Sequence, residues 1–125
     1  MDRYKIMVID DEKIVGDMSK MTLEQEGYQV ETFLNAEPAL ERLKEEKFDV
    51  VVTDYKMKGI DGMEALRTIK RLYPETKVIM ITAFANLDAA IEAMRSDVHD
   101  FFPKPVKIKE LKASIERALG RKKEE

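Results

Sequence analysis

Five short apolar runs, each followed by a stretch of helical spacing, set the limits on what this chain can fold into. The runs are Ile6-Met7-Val8-Ile9, the β-forming stretch Tyr28 to Phe33, Phe48-Asp49-Val50-Val51-Val52-Thr53, Val78-Ile79-Met80-Ile81 and the brief Phe101-Phe102. Strands that alternate with helices demand a parallel sheet covered on both faces. The first, third and fourth runs lack a clean polar–apolar alternation, as strands buried on both sides do. The second and fifth read as edge strands.

The intervening segments carry their own signals. Residues 13–26 place Ile14, Val15, Met18, Met21 and Leu23 at helical spacing, and Gly27 is the residue type expected just past a helix end. Asn35 is a suitable N-cap, and Pro38 falls in a first turn, where its missing N–H does no harm. Leu40 and Leu43 follow as inward positions. Met63, Leu66, Ile69 and Leu72 mark a third helix. Asn86 caps a fourth carrying Leu87, Ala90, Ile91 and Met94, and Ile108, Leu111, Ile115 and Leu119 form one face of a fifth. The eight methionines read mostly as core packing. Residues 1–120 form one domain, and residues 121–125 form a charged tail of mixed sign, a frayed and solvated end.

Composition narrows the function classes. A length of 125 residues fits one domain, and a net charge of −3 implies no strong pull toward nucleic acid or anionic membrane. The absence of cysteine excludes disulfides, thiolate metal sites and cysteine catalysis. No stretch resembles a signal peptide or reaches transmembrane length, so a soluble, cytoplasmic protein is expected.

The polar residues at the strand ends carry the chemistry. Asp54 ends the third run, Asp10 and Asp11 end the first, Thr82 ends the fourth, and Lys104-Pro105 follow the fifth. In a parallel sheet these ends share one edge, where open α/β sheets bind ligands. Taken singly, each has a bland reading: Asp10 or Asp11 as an N-cap, Thr82 as a strand-end residue, Lys104 as a loop lysine. Taken together they do not. Two carboxylates ~4 Å apart repel by roughly 4 kcal/mol at an effective dielectric near 20, and a cation relieves this. The available ligands are hard oxygens, which select Mg²⁺. With that metal, Thr82 and Lys104 can neutralise phosphoryl oxygens and leave Asp54 as a nucleophile that forms an acyl phosphate. His99, the only histidine, lies beside Asp100 and far in sequence from the acids, and reads as structural.

These residues resemble the receiver domain of two-component response regulators, stand-alone or excised. The resemblance rests on Asp10-Asp11, on Asp54 with Met57 and Asp61-Gly62 behind it, on Thr82-Ala83, and on Phe101 with Lys104-Pro105; it covers Tyr4 to about Leu119. It implies a flavodoxin-like (βα)5 fold with strand order 2-1-3-4-5 and helices on both faces. Asp54 would be the phosphoacceptor. Asp11 and Asp54 would bind Mg²⁺ through their side chains, Asp10 mainly through a water, and Lys56 through its backbone carbonyl. Thr82 and Lys104 would contact the phosphoryl group, and Phe101 would turn inward as Thr82 moves toward it. The Lys104-Pro105 bond would often be cis.

Five positions vary from or within that pattern. Lys58 stands where proline is usual, which implies a less rigid loop. Asp97-Val98 stand where Gly-Ala is usual, which implies a distorted connection into the fifth strand. Lys56 and Phe84 occupy positions that tune how long a phosphate lasts.

The function implied is a phosphorylation-controlled signalling switch rather than a metabolic enzyme. It would be loaded by a sensor histidine kinase, show only weak phosphotransfer and autophosphatase activity, and act on a downstream protein or a relay phosphotransferase. Neither nucleic acid nor membrane would contact this chain directly, and it would be a monomer or a weak phosphorylation-dependent dimer. Two alternatives are a phosphorylation-independent interaction module on the same fold and a small-substrate phosphatase. The first would normally have lost one of the site residues, and none is missing. The second needs a substrate pocket for which the chain has no insertion.

Overall fold

The computed structural model describes residues 3–57, 59–83 and 85–120. The expectations made for Lys58, Phe84 and the tail at 121–125 lie outside the described residues. Five strands and five helices alternate strictly: β1 (Lys5–Ile9), α1 (Lys13–Gln25), β2 (Gln29–Phe33), α2 (Ala36–Glu45), β3 (Val50–Asp54), α3 (Gly62–Leu72), β4 (Lys77–Thr82), α4 (Leu87–Arg95), β5 (Asp100–Pro103) and α5 (Ile108–Ala118). Every strand pairing is parallel, and the sheet order is β2-β1-β3-β4-β5. This is the flavodoxin-like order the resemblance implies, with β2 and β5 at the edges.

Strand parity builds two cores. Met7, Ile9, Val51, Val78 and Met80 point to one face, against Leu43 of α2, Met63, Leu66 and Ile69 of α3, and Ala93 of α4. Ile6, Val8, Val50, Val52, Ile79 and Ile81 point to the other, against Leu23 of α1 and Leu111 and Ile115 of α5. Side chains on both sides of β1, β3 and β4 are therefore apolar, which is why those runs do not alternate. The chain leaves β1 toward β2 on one side and arrives in β3 on the other. The carboxyl ends of β1 and β3 thus flank the point where the connections diverge. Among the described residues no helix is long and apolar enough to cross a membrane.

Helical spacing located α1 and α4 but not their buried faces. In α1 the buried residues are Gly16, Ser19 and Leu23, whereas Ile14 (65% exposed), Met18 and Met21 face outward. Gly16 faces Thr32 of β2, where a Cβ would make an ordinary contact at 3.6 Å, so the buried face of α1 is set by its orientation on the sheet and not by its most apolar residues. In α4, Ala89 and Ala93 are buried, while Leu87 (75% exposed) and Met94 face outward. The reading of the methionines as packing therefore holds for Met7, Met63 and Met80 and fails for Met18, Met21 and Met94.

The connection into β5 is not distorted. Asp97 adopts φ 67°, the left-handed conformation, and the end of α4 closes with Asp97 N–H donating to Met94 O and Val98 N–H to Ala93 O, each at 3.1 Å. The end of α1 closes the same way around Gly27 at φ 92°, with Gly27 N–H on Glu24 O and Tyr28 N–H on Leu23 O. Asp97 fills a glycine position at a conformational cost, and Val98 packs against the core on that side. Replacing Asp97 with glycine removes a left-handed penalty of about 1 kcal/mol. Asp97→Gly is expected to raise the melting temperature by roughly 3–5 °C in thermal unfolding followed by circular dichroism; an unchanged or lower value would contradict this account.

Candidate functional site

The acids are set by the strand ends that carry them. Asp10 follows β1 directly, its N–H continuing the ladder to Phe33 O at 3.0 Å. Its Oδ1 accepts a hydrogen bond from the N–H of Glu12 at 2.9 Å, a local turn that fixes the carboxylate as the chain enters α1. Asp54 is the last residue of β3. Both carboxylates are buried. Lys104 lies just beyond β5, with its N–H on Thr82 O at 2.8 Å and a cis bond to Pro105.

From there the Lys104 ammonium reaches across the sheet edge. It stands 2.9 Å from Asp54 Oδ2, 3.0 Å from Asp10 Oδ2 and 2.8 Å from Glu12 Oε1. Burial pushes the Asp10 carboxyl above its usual range and the Asp54 charge adds to this, against the opposing pull of the Glu12 N–H and Lys104. For Lys104, burial acts to lower the pKa, but hydrogen bonds to Glu12 and Asp54 and the adjacent Asp10 charge together outweigh it, so the ammonium is held charged well above the ordinary lysine range.

The loop after β3 turns back under Asp54. Gly62 N–H donates to Tyr55 O at 2.8 Å, and Asp61 caps α3 by accepting from Glu64 N–H at 2.9 Å. A Cβ on Gly62 would fall 1.9 Å from Asp54 O, so only glycine lets α3 start this close to the acid. Thr82 is fully buried at the end of β4. Phe101 pairs with Met80 and is half-buried against the same core. Since Met80 and Thr82 are two residues apart on one strand, Thr82 and Phe101 share the sheet face that α4 covers.

The residues fit a divalent cation. Asp10, Glu12 and Asp54 each offer an oxygen within 4.8 Å of the others. Asp10 Oδ2 is buried and, although the ammonium stands near it, accepts no aligned hydrogen bond. A hard cation would satisfy that oxygen. Asp11 is exposed and lies outside this group, and Lys56 is exposed with its ammonium 5.8 Å from the Tyr55 ring centre. The structure thus gathers Asp10, Asp54 and Lys104, places Thr82 at the neighbouring strand end, and adds Glu12 as a third acid. His99 sits apart, Nε2 at 3.2 Å from Ser114 O and N–H on Val78 O, tying β5 to α5 and β4.

The family model described as the response regulator receiver domain matches residues 6–116. The chain is 35% identical over 125 residues to the DNA-binding transcriptional regulator NtrC of Escherichia coli (strain K12), covering 100% of this chain and 27% of that protein. It spans about a quarter of the length of the curated relatives it matches. A solved response regulator receiver domain protein (CheY-like) from Methanospirillum hungatei JF-1 is similar with a TM-score of 0.92 and 29% identity over 95% of each chain. The beryllofluoride-activated NtrC4 receiver domain dimer is similar with a TM-score of 0.88 and 30% identity, over 93% of this chain and 96% of that one.

The close approach at Gly62 gives a direct test of how the site is built. Gly62→Ala forces Asp54 and α3 apart in a packed region, and is expected to cost about 1–3 kcal/mol in urea unfolding. A variant of wild-type stability would show that the loop relaxes without effort.

Proposed function

This chain belongs to the response regulator receiver family, and from that premise we propose that it is a phosphorylation-controlled switch in which Asp54 accepts a phosphoryl group from the phosphohistidine of a sensor kinase. The observation that carries the reading is the Lys104 ammonium 2.9 Å from Asp54 Oδ2, inside a pocket of buried acids at the sheet's divergence point. An Asp54 carboxylate oxygen attacks phosphorus in line as the P–N bond breaks. The bonding pair stays on the imidazole nitrogen, and an acyl phosphate forms. Lys104 and the Thr82 hydroxyl receive the phosphoryl oxygens. Asp10 and Asp54 would hold Mg²⁺, joined on the family pattern by Asp11 and the Lys56 carbonyl. The metal supplies neutralisation of phosphoryl charge when bound.

A phosphoryl group brings roughly −1.5 to −2 of charge. That charge draws Thr82 and Lys104 toward Asp54. Because Phe101 shares the face of Thr82, the shift favours a conformation with Phe101 turned inward and α4 repositioned, a redistribution between two existing states. The exposed Leu87 and Met94 on α4 then supply a surface for a downstream partner. Slow hydrolysis of the acyl phosphate resets the switch.

Kinase access is supported beside the acids. A groove of about 640 Å³ runs between α1 and the start of α5, lined by Val15, Met18, Ile81, Pro105, Val106 and Ile108, with Lys104 at its end. An apolar helix face seated there brings a phosphohistidine to Asp54. Met18→Glu is expected to leave labelling by a small phosphodonor unchanged and to slow transfer from a histidine kinase about tenfold or more, the loss expected when a central apolar contact is replaced by a charge. Equal slowing with both donors would remove this groove from the account.

The central test is intact-mass spectrometry after incubation with a small phosphodonor and Mg²⁺. Wild type is expected to gain a single phosphoryl adduct that requires the metal and is absent from Asp54→Asn. No adduct on folded protein would overturn the phosphoacceptor role and leave a constitutive interaction module on this fold.

A further inference from the structure

We infer that Glu12 is a latch on Lys104: it holds the ammonium among the acids while Asp54 is free, and must let go for a phosphoryl group to take its place. The inference rests on the phosphoacceptor reading of Asp54 and deepens it. Four observations carry it. Glu12 makes the shortest of the three ammonium contacts, 2.8 Å. Its position is fixed from the backbone, because its N–H donates to Asp10 Oδ1. It is the N-cap residue of α1, yet its side chain makes no capping hydrogen bond, so the carboxylate is committed to Lys104 and not to the helix. And it alone of the three acids can leave: its side chain is 58% exposed, whereas those of Asp10 and Asp54 are buried.

The electrostatics give the latch a direction. Three carboxylates surround one ammonium, so without metal the pocket carries excess negative charge, and Glu12 offsets part of the positive charge that a bound metal would bring. An incoming tetrahedral anion must be repelled by Glu12 and compete with it for Lys104. Asp10 and Asp54 cannot give way, because moving a buried carboxylate off its partner costs far more than swinging an exposed one into water. Glu12 therefore sets how readily the ammonium is surrendered to the anion on Asp54. Nothing comparable falls on Asp11, which is exposed and outside the cluster.

Beryllofluoride, a tetrahedral anion that stands in for a phosphoryl group on a carboxylate, tests this at equilibrium. Its binding to wild type and Glu12→Gln is titrated by fluorine NMR, with Mg²⁺ held well above the dissociation constant measured separately for each protein. Glu12→Gln is expected to bind about two- to fivefold tighter, the range of an exposed ion pair. The second readout is the Lys104 ammonium signal in proton–nitrogen spectra without metal, expected to be sharp in wild type and broadened in Glu12→Gln. Unchanged or weaker beryllofluoride binding, or an undiminished ammonium signal, would overturn the latch while leaving the phosphoacceptor role intact. Failure of wild type to bind beryllofluoride at all would overturn both.

Discussion

The pairing of one ammonium with the carboxylates at the divergence point is the interaction on which the rest of this structure depends. Burying Asp10 and Asp54 side by side is unfavourable twice over, through lost hydration and mutual repulsion, and each buried ion costs several kcal/mol to desolvate. Lys104 makes the arrangement tolerable. It can do so only because β5 lies beside β4, so that the residue after Pro103 is anchored to Thr82 O and its side chain spans to β3 and β1. Parallel order, edge position of β5 and the acid pair are therefore one constraint. A sheet that did not keep β1, β3, β4 and β5 side by side in this order would separate the acids from the lysine.

The same pocket bears on how the proposed switch would carry a signal sideways. Thr82 and Phe101 hang from adjacent strands on one face, and the helix over that face, α4, is held chiefly by two alanines. By contrast α3 buries Met63, Ala65, Leu66 and Ile69 and starts against Asp54 itself. Buried apolar area stabilises in proportion to its extent, so α3 is the fixed wall and α4 the helix held with least energy. If charge arrives at Asp54, the element that yields is the one with the smallest buried side chains.

Much of this was legible in the sequence, for identifiable reasons. Strand existence followed from runs too apolar to be one-sided and strand order from the resemblance to receiver domains, while Asp54, Asp10 and Lys104 were found because polar residues gathered at the ends of such runs, bland one by one, have no bland explanation together. What was not legible depended on distances no periodicity encodes. The outward face of α1 could not be read, because Gly16 and Ser19 are buried by where the helix lies on the sheet and not through their own hydrophobicity. The place of Glu12 in the site was hidden because its partner is 92 residues away in sequence. The expectation of a distorted connection at Asp97 failed because an aspartate tolerates the left-handed conformation, at some cost, while every backbone hydrogen bond of the motif is kept.

That last residue bears on stability. Asp97 ends α4, the helix with the lightest anchor, and begins the segment that leads to Phe101. Its side chain gains little in return, since the Lys70 ammonium stands 3.7 Å from a carboxylate that is 84% exposed. A strained residue with no strong compensating contact lowers the stability of the fold at that point, by an amount small beside the stability of a domain. A sequence under pressure for stability alone would place glycine there, as this chain does at Gly27 in the matching position of α1. Aspartate at 97 thus costs the chain a little stability at the end of α4, while the tight packing of α3 and the two cores hold the remainder of the fold in place.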